Sequence, residues 1–123
     1  MGRYAFFNTG YEYKFVFGVQ ESKDILKFGG TYAGEGEGYY IHTWTQEEAF
    51  SILDQLRGLE DLLGLPEFEF EKLEKNLNGT YKTIQALWEY LDLDSVDHCL
   101  YQLGCVIYHQ LLYEPNLRAD FEG

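Results

Sequence analysis

Large apolar side chains recur at every second position of residues 11–19. This period is typical of a β-strand with one buried face. Asn8-Thr9-Gly10 precedes the run, and its glycine is placed for the positive φ that a three-residue hairpin connection needs. The pattern therefore predicts an antiparallel hairpin of residues 3–7 and 11–19, whose apolar face carries Tyr11, Tyr13, Phe15, Phe17 and Val19.

A glycine-rich acidic stretch follows at residues 29–38, and residues 39–44 alternate again in the manner of a strand. Glycines hold phosphate when they open onto a helix and a basic residue neutralises the anion. Here Glu35 and Glu37 lie between the glycines and a strand comes next. We therefore expect a flexible hairpin turn or a flap over a pocket. Residues 24–28, just before, fit a short strand or a single helical turn.

The hydrophobic period changes to that of a helix at Thr45. Thr45 and Glu48 have the spacing of a capping box, and Gly64 and Pro66 end the helix that follows. We therefore expect an amphipathic helix between Thr45 and Gly64. Its apolar stripe is Ala49, Ile52, Leu53, Leu56, Leu59 and Leu63.

Three further helices are expected after Pro66. Residues 66–77 fit a short helix, although Phe68 and Phe70 alternate with glutamates and a strand start is the alternative. Thr80 caps the next helix. The last helix, over residues 96–113, is apolar almost all round, which is typical of a central and buried helix.

The order of these elements, strands first and helices after them, predicts one α+β domain over residues 1–123. An N-terminal antiparallel hairpin or meander of three to four strands is expected to pack on a C-terminal set of three to four helices. Residues 116–123 read as a possible polar tail.

The net charge of −12, from 21 acidic and 9 basic residues, narrows the choice of partners. An acidic surface repels nucleic-acid backbones and anionic lipid, so neither is expected to bind directly. A basic protein partner is compatible with the charge. No apolar run approaches the roughly 18 residues that span a bilayer, so no membrane partner is expected either.

Cys99 and Cys105 are the two cysteines of the chain. Six residues apart in one predicted helix, they point to different faces and cannot form a disulfide with each other. Reduced thiols fit an intracellular protein, and the N-terminus lacks the pattern of a secretory signal. We therefore expect a cytoplasmic location.

His98, Cys105 and His109 share a face of the last predicted helix. Cys105 and His109 are one turn apart, a spacing that can hold zinc. The alternative is that these groups fill the less apolar side of a buried helix. Nothing matches a paired Cys-x-x-Cys knuckle, so no metal and no cofactor is assigned. The three residues remain the candidates for a catalytic or metal site.

The candidates for ligand binding lie on the predicted strands. Tyr40, His42 and Trp44 alternate on one face and could contact a small aromatic ligand. Glu12 and Lys14 share the face opposite the rings of residues 11–19. They are a surface pair if that face meets solvent, and a buried ion pair and a site candidate if it is covered.

These observations favour an interaction or small-ligand-binding module over an enzyme. Self-association into a homo-oligomer is expected, because the apolar strand 11–19 is an aggregation hazard unless its edge is covered or paired. One alternative is a small metal-assisted hydrolase that uses the last-helix histidines and Cys105. Another is an acidic decoy that binds a basic nucleic-acid-binding protein, since Arg57 is the only base between Glu35 and Glu71 and complementary charge drives such docking.

Overall fold

The computed structural model describes residues 4–15, 22–72 and 96–122 of the 123-residue chain. Within these ranges lie five strands, two α-helices and three short 3₁₀ helices. The strands are β1 (Tyr4–Phe7), β2 (Glu12–Lys14), β3 (Thr31–Gly36), β4 (Tyr39–Thr45) and β5 (Asn116–Glu122). The α-helices are α1 (Ala49–Leu63) and α2 (Val96–Leu111), and the 3₁₀ helices are Ser22–Phe28, Gln46–Glu48 and Phe70–Lys72.

The five strands form one antiparallel sheet in the order β2-β1-β5-β4-β3. The α+β class and the antiparallel sheet are confirmed. The described residues contain two α-helices, fewer than the three to four expected for the chain. The helix expected after Thr80 lies outside the described residues. The sheet has five strands where three to four were expected, and its order differs from that of a simple meander.

Two strands were not expected. β3 occupies most of the glycine-rich stretch that was expected to be a flexible hairpin turn or flap, and β5 corrects the expectation of a polar tail. Leu117, Ala119 and Phe121 alternate with polar residues along β5 and are buried. Backbone pairing with β1 on one side and β4 on the other makes this C-terminal strand the centre of the sheet. A segment of half-polar composition therefore joins the two hairpins of the fold into one sheet.

The first predicted hairpin is confirmed as far as it is described. Ala5 pairs with Tyr13 in an antiparallel register, and Gly10 has the expected positive φ of 96°. Tyr13 and Phe15 are buried on one face. Residues 16–19 lie outside the described residues.

The second hairpin, β3–β4, contains the glycine-rich stretch. Gly38 lies in its tight turn with a φ of 80°. The register shifts between Tyr32 and Gly34, which is a β-bulge. Gly30 has a φ of 85°, and a Cβ there would lie 2.6 Å from the His42 ring, so only glycine fits this approach. The segment before the hairpin is helical, in the 3₁₀ helix Ser22–Phe28.

Local signals mark both ends of the helical segment between Thr45 and Gly64 as expected, and the 3₁₀ helix Gln46–Glu48 leads directly into α1. The Thr45 backbone N–H donates to Oε1 of Glu48 at 3.2 Å, and Gly64 ends the helix in the left-handed conformation with a φ of 71°. The segment after α1 corrects the sequence analysis, because residues 65–69 form neither helix nor strand. A 3₁₀ helix covers Phe70–Lys72, and residues 73–77 lie outside the described residues.

Helix α2 is the buried central helix that the sequence predicts, since every residue from 101 to 111 is buried. It packs with α1 and the inner face of the sheet in one hydrophobic core. Gly104 permits this contact, because a Cβ there would lie 2.6 Å from Leu56 and 2.5 Å from Phe28. None of the helices in the described ranges has the length and apolar character needed to cross a bilayer.

The two faces of the sheet differ in their surroundings. The inner face packs against the helices with buried residues such as Phe7, Trp44 and Leu117. The outer face has no buried residue among those described. Outward-facing residues of β1, β2, β4 and β5 are Tyr4, Phe6, Glu12, Lys14, Arg118, Asp120, Glu122, Tyr39, Ile41 and Thr43.

Candidate functional site

The candidate residues on the last helix are all described, and two of them are shut off from solvent. His109 is 0% exposed and Cys105 is 1% exposed, whereas His98 is half-buried near the start of α2. Among the described residues, no three His, Cys, Asp or Glu side chains converge on a position that could hold a metal ion. Within the described ranges, His98, Cys105 and His109 are therefore not brought together as one metal site.

The environment of Cys105 is unfavourable for a nucleophile. Burial raises the pKa of the Cys105 thiol well above its ordinary value, and the nearby Glu60 carboxylate raises it further. Cys105 therefore stays protonated at neutral pH. Because the thiolate is the reactive form, this thiol is inert. Neither Cys105 nor Cys99 forms a disulfide, and both are buried.

His109 is held in its neutral form by the core around it. Burial lowers the pKa of His109 from 6.5 to about 4. Its ring meets that of Tyr113 edge-on, with the centroids 5.2 Å apart. A neutral and inaccessible imidazole is a packing residue of the helix.

His42 and Trp44, the candidates on β4, are also buried, and both bind the backbone of the preceding segment. His42 Nε2 lies 2.6 Å from the Gly29 carbonyl oxygen, and the Trp44 indole N–H donates to the Phe28 carbonyl at 3.2 Å. The two rings meet edge-on with centroids 4.8 Å apart. These contacts attach the 3₁₀ helix Ser22–Phe28 to the sheet.

Three other candidates are exposed. Tyr40 is 36% exposed, and its ring lies 5.7 Å from that of Phe121. Glu12 and Lys14 lie on the outer face of β2 and are exposed. That face is not covered at β2, so the alternative of a buried ion pair does not apply to them.

The outer face of the sheet contains a hollow of about 550 Å³. It is open to solvent and combines two aromatic residues with three carboxylates. The contributing segments are β1, the β3–β4 turn, β4 and β5. The lining residues are Phe6, Glu37, Gly38, Tyr39, Asp120 and Glu122.

Strand register explains why these residues meet. Phe6 of β1 pairs with Asp120 of β5, and Tyr39 of β4 pairs with Glu122 of β5. The two carboxylates therefore stand on the central strand between two aromatic rings. Phe6 is 42% exposed and Tyr39 is 40% exposed, so both rings are accessible to a ligand.

Electrostatics of the hollow favour a positively charged ligand. Asp120 is bound by Arg118 through two hydrogen bonds of 2.8 and 3.1 Å. Among the described residues, neither Glu37 nor Glu122 has an ion-pair partner. Carboxylates attract cations, and an aromatic face adds a cation–π attraction. The hollow is thus suited to an organic cation.

A second polar cluster lies inside the core and is fully bonded. Glu60 is 2% exposed and accepts hydrogen bonds from the Tyr101 hydroxyl at 2.7 Å and the Phe68 N–H at 3.0 Å. Arg57 donates to its other oxygen at 2.8 Å. A buried carboxylate with three donors is satisfied, so the cluster fixes the structure and leaves no vacancy for a ligand.

Sequence reasoning missed both clusters. The sequence pattern places Phe6 and Tyr39 on strands and predicts no role for them. It predicts a polar tail for residues 116–123, so Asp120 and Glu122 are not among the predicted site residues. The period-two pattern of residues 116–122 was the signal that could have revealed β5. The positions of β1 and β4 on either side of β5 could not be predicted from any local pattern.

Comparisons of the chain with models of known protein families, with curated protein sequences and with solved structures gave no match.

Proposed function

We propose that the protein is a binding module that takes a basic segment of a partner protein on the outer face of its sheet. The observation that supports this most directly is the hollow, in which Glu37, Asp120 and Glu122 stand beside two exposed rings. The net charge of −12 adds a long-range attraction for such a partner, because complementary potentials steer association.

A binding role agrees better with the described residues than catalysis does. Cys105 and His109 have no access to solvent, so they do not touch a substrate in this arrangement. The accessible groups of the hollow are carboxylates and rings, which recognise cations. Two buried cysteines without a disulfide fit an intracellular setting, where basic partner segments are available.

The test is a titration of the protein with a lysine- and arginine-rich peptide, followed by NMR and calorimetry at two salt concentrations. We expect shifts of the Phe6 and Tyr39 signals and an affinity that falls as salt rises. Glu37→Gln and Glu122→Gln should each weaken binding about two- to fivefold, the range expected for one exposed charge pair.

Asp54→Asn is the matched control for these variants. It also removes one negative charge, but Asp54 is an exposed residue of α1 and is not part of the hollow. It should leave the affinity nearly unchanged. Equal weakening by Asp54→Asn, or no binding of the peptide at all, would argue against the outer face as the site.

Self-association is a second candidate, favoured by β3, which is the outermost strand at one side of the sheet among the described residues. This edge strand of six residues is exposed along most of its length, and Tyr32 on it is 51% exposed. Such an edge is a template for pairing with a second chain. Light scattering over a range of concentrations tests the idea, and Tyr32→Lys should reduce any dimer. A constant monomer mass at high concentration would contradict it.

A further inference from the structure

Arg118 and Asp120 form a two-point ion pair at the rim of the hollow. Arg118 Nε donates to Oδ1 of Asp120 at 2.8 Å, and Nη2 donates to Oδ2 at 3.1 Å. Both residues belong to β5, two positions apart on the outer face. Arg118 is therefore a guanidinium of the chain itself, bound at one of the three carboxylates that a ligand would meet.

The planar shape of a guanidinium determines how an arginine side chain of a ligand could bind these carboxylates. A guanidinium is planar and binds best when two parallel N–H groups meet both oxygens of one carboxylate. Asp120 has both of its oxygens engaged in this way. One of the three carboxylates that line the hollow is thus already bound to a guanidinium, that of Arg118.

The two remaining carboxylates suit a different cation. Glu37 belongs to the β3–β4 turn, and Glu122 belongs to the end of β5, so they approach the hollow from separate segments. An alkylammonium group has three donors that point in different directions and can bridge two separate carboxylates. The rings of Phe6 and Tyr39 can pack on its methylene chain.

We propose that Arg118 is a specificity-determining residue, which makes the outer-face hollow select lysine side chains over arginine side chains. This inference rests on the proposed function. It predicts the ratio of the affinities for lysine and arginine side chains, whereas the proposed function predicts only that a basic segment binds.

The experiment uses two peptides that differ only in their cations. One has three lysines separated by glycine and serine, and the other has three arginines at the same positions. Calorimetry with the full chain should show at least threefold tighter binding of the lysine peptide. Arg118→Ala releases Asp120, and the preference should then disappear or reverse, with the arginine peptide gaining at least threefold.

Arg118→Lys separates the geometry from the charge. It keeps the positive charge, but an ammonium does not reproduce the two parallel hydrogen bonds of the guanidinium. The lysine preference should therefore shrink in this variant too. Circular dichroism spectra of both variants check that the fold is retained, and the ratio of affinities is the readout because a general charge effect changes both peptides together.

The possible outcomes are distinguishable. If neither peptide binds the wild-type chain, the proposed function fails and this inference fails with it. If both peptides bind but the arginine peptide binds equally well or better, only the selectivity is refuted. A lysine preference that stays the same in Arg118→Ala and Arg118→Lys refutes the role of Arg118.

Discussion

The Tyr101 hydroxyl donates a 2.7 Å hydrogen bond to Oε2 of Glu60, and this bond joins helix α2 to helix α1 inside the core. Tyr101 is 0% exposed and Glu60 is 2% exposed. The same carboxylate binds Arg57 of its own helix and the backbone of Phe68. A carboxylate buried without such partners would be strongly unfavourable, so this set of bonds holds the two helices and residues 65–69 in one arrangement.

Removal of the hydroxyl should therefore destabilise the fold. We expect Tyr101→Phe to lower the free energy of unfolding by about 1.5–3 kcal/mol, because Glu60 loses a donor that water cannot replace. Urea unfolding measures the loss. In a double-mutant cycle with Glu60→Gln, a coupling of about 1 kcal/mol is expected, and additivity within about 0.5 kcal/mol would show that the two groups do not interact.

Substitution of alanine for two helical glycines, Gly104 and Gly58, should change the free energy of unfolding in opposite directions. Gly104 lies where α2 approaches Phe28 and Leu56, and a Cβ there would come within 2.5–2.6 Å of their side chains. Gly104→Ala should lower the free energy of unfolding by about 1–3 kcal/mol through overpacking. A Cβ at Gly58 of α1 would meet nothing within 4 Å.

Gly58→Ala is thus the matched control for Gly104→Ala. It should raise stability by about 0.5–1 kcal/mol, because alanine favours the helix and restricts the unfolded chain. Thermal or urea unfolding of both variants provides the comparison. A stabilising effect of Gly104→Ala would show that α2 is not in close contact with Phe28 and Leu56.

Buried His109 should make the protein sensitive to mild acid. Burial lowers its pKa in the folded state to about 4 from the ordinary 6.5. The unfolded chain therefore binds a proton first as the pH falls. Stability is unaffected by this group above about pH 6.5 and is lost progressively between about pH 6.5 and 4, by on the order of 2 kcal/mol at pH 4.5.

His109→Gln removes this titration and isolates it from that of the carboxylates. The free energy of unfolding of wild type and variant is to be measured at several pH values from 7 to 4.5. The variant should show a smaller loss over this range, whatever its stability at pH 7. Parallel curves for the two proteins would mean that His109 is not held neutral in the fold.

The Asn8 side chain forms two hydrogen bonds with the backbone of β5, in addition to the pairing of β5 with β1 and β4. Its Nδ2 donates to the Asn116 carbonyl at 2.9 Å, and its Oδ1 accepts from the Arg118 N–H at 3.0 Å. Asn8→Ala should cost about 1 kcal/mol through the loss of both bonds. Asn8→Asp keeps the acceptor and loses the donor, so about half that cost is expected. Equal stability of Asn8→Ala and wild type in urea would refute this role.

Several elements could be predicted because their signals are local. Residues 11–15 show the alternation of a strand, and Gly10 supplies the turn before them. Thr45 and Glu48 mark the start of the helical segment that leads into α1, while Gly64 marks the end of α1. Each of these signals acts over a few residues, so neighbours in sequence are sufficient to read it.

The residues of the hollow and of the Glu60 cluster could not be predicted in this way. Glu60 is charged, and charged side chains are almost always exposed unless they are paired. Its partner Tyr101 is 41 positions away in sequence. Phe6 and Asp120 are separated by most of the chain, and only their pairing in the sheet brings them together.

Local sequence patterns were sufficient to predict the α+β class, the first hairpin, the limits of the helical segment between Thr45 and Gly64, and the buried character of α2. The central position of β5, the burial of Glu60 and the meeting of rings and carboxylates on the outer face follow from the folded arrangement instead. The two groups of features differ in the range of the interactions on which they depend. Periodicity and capping depend on neighbouring residues, whereas strand order and the burial of a charge depend on contacts between distant parts of the chain.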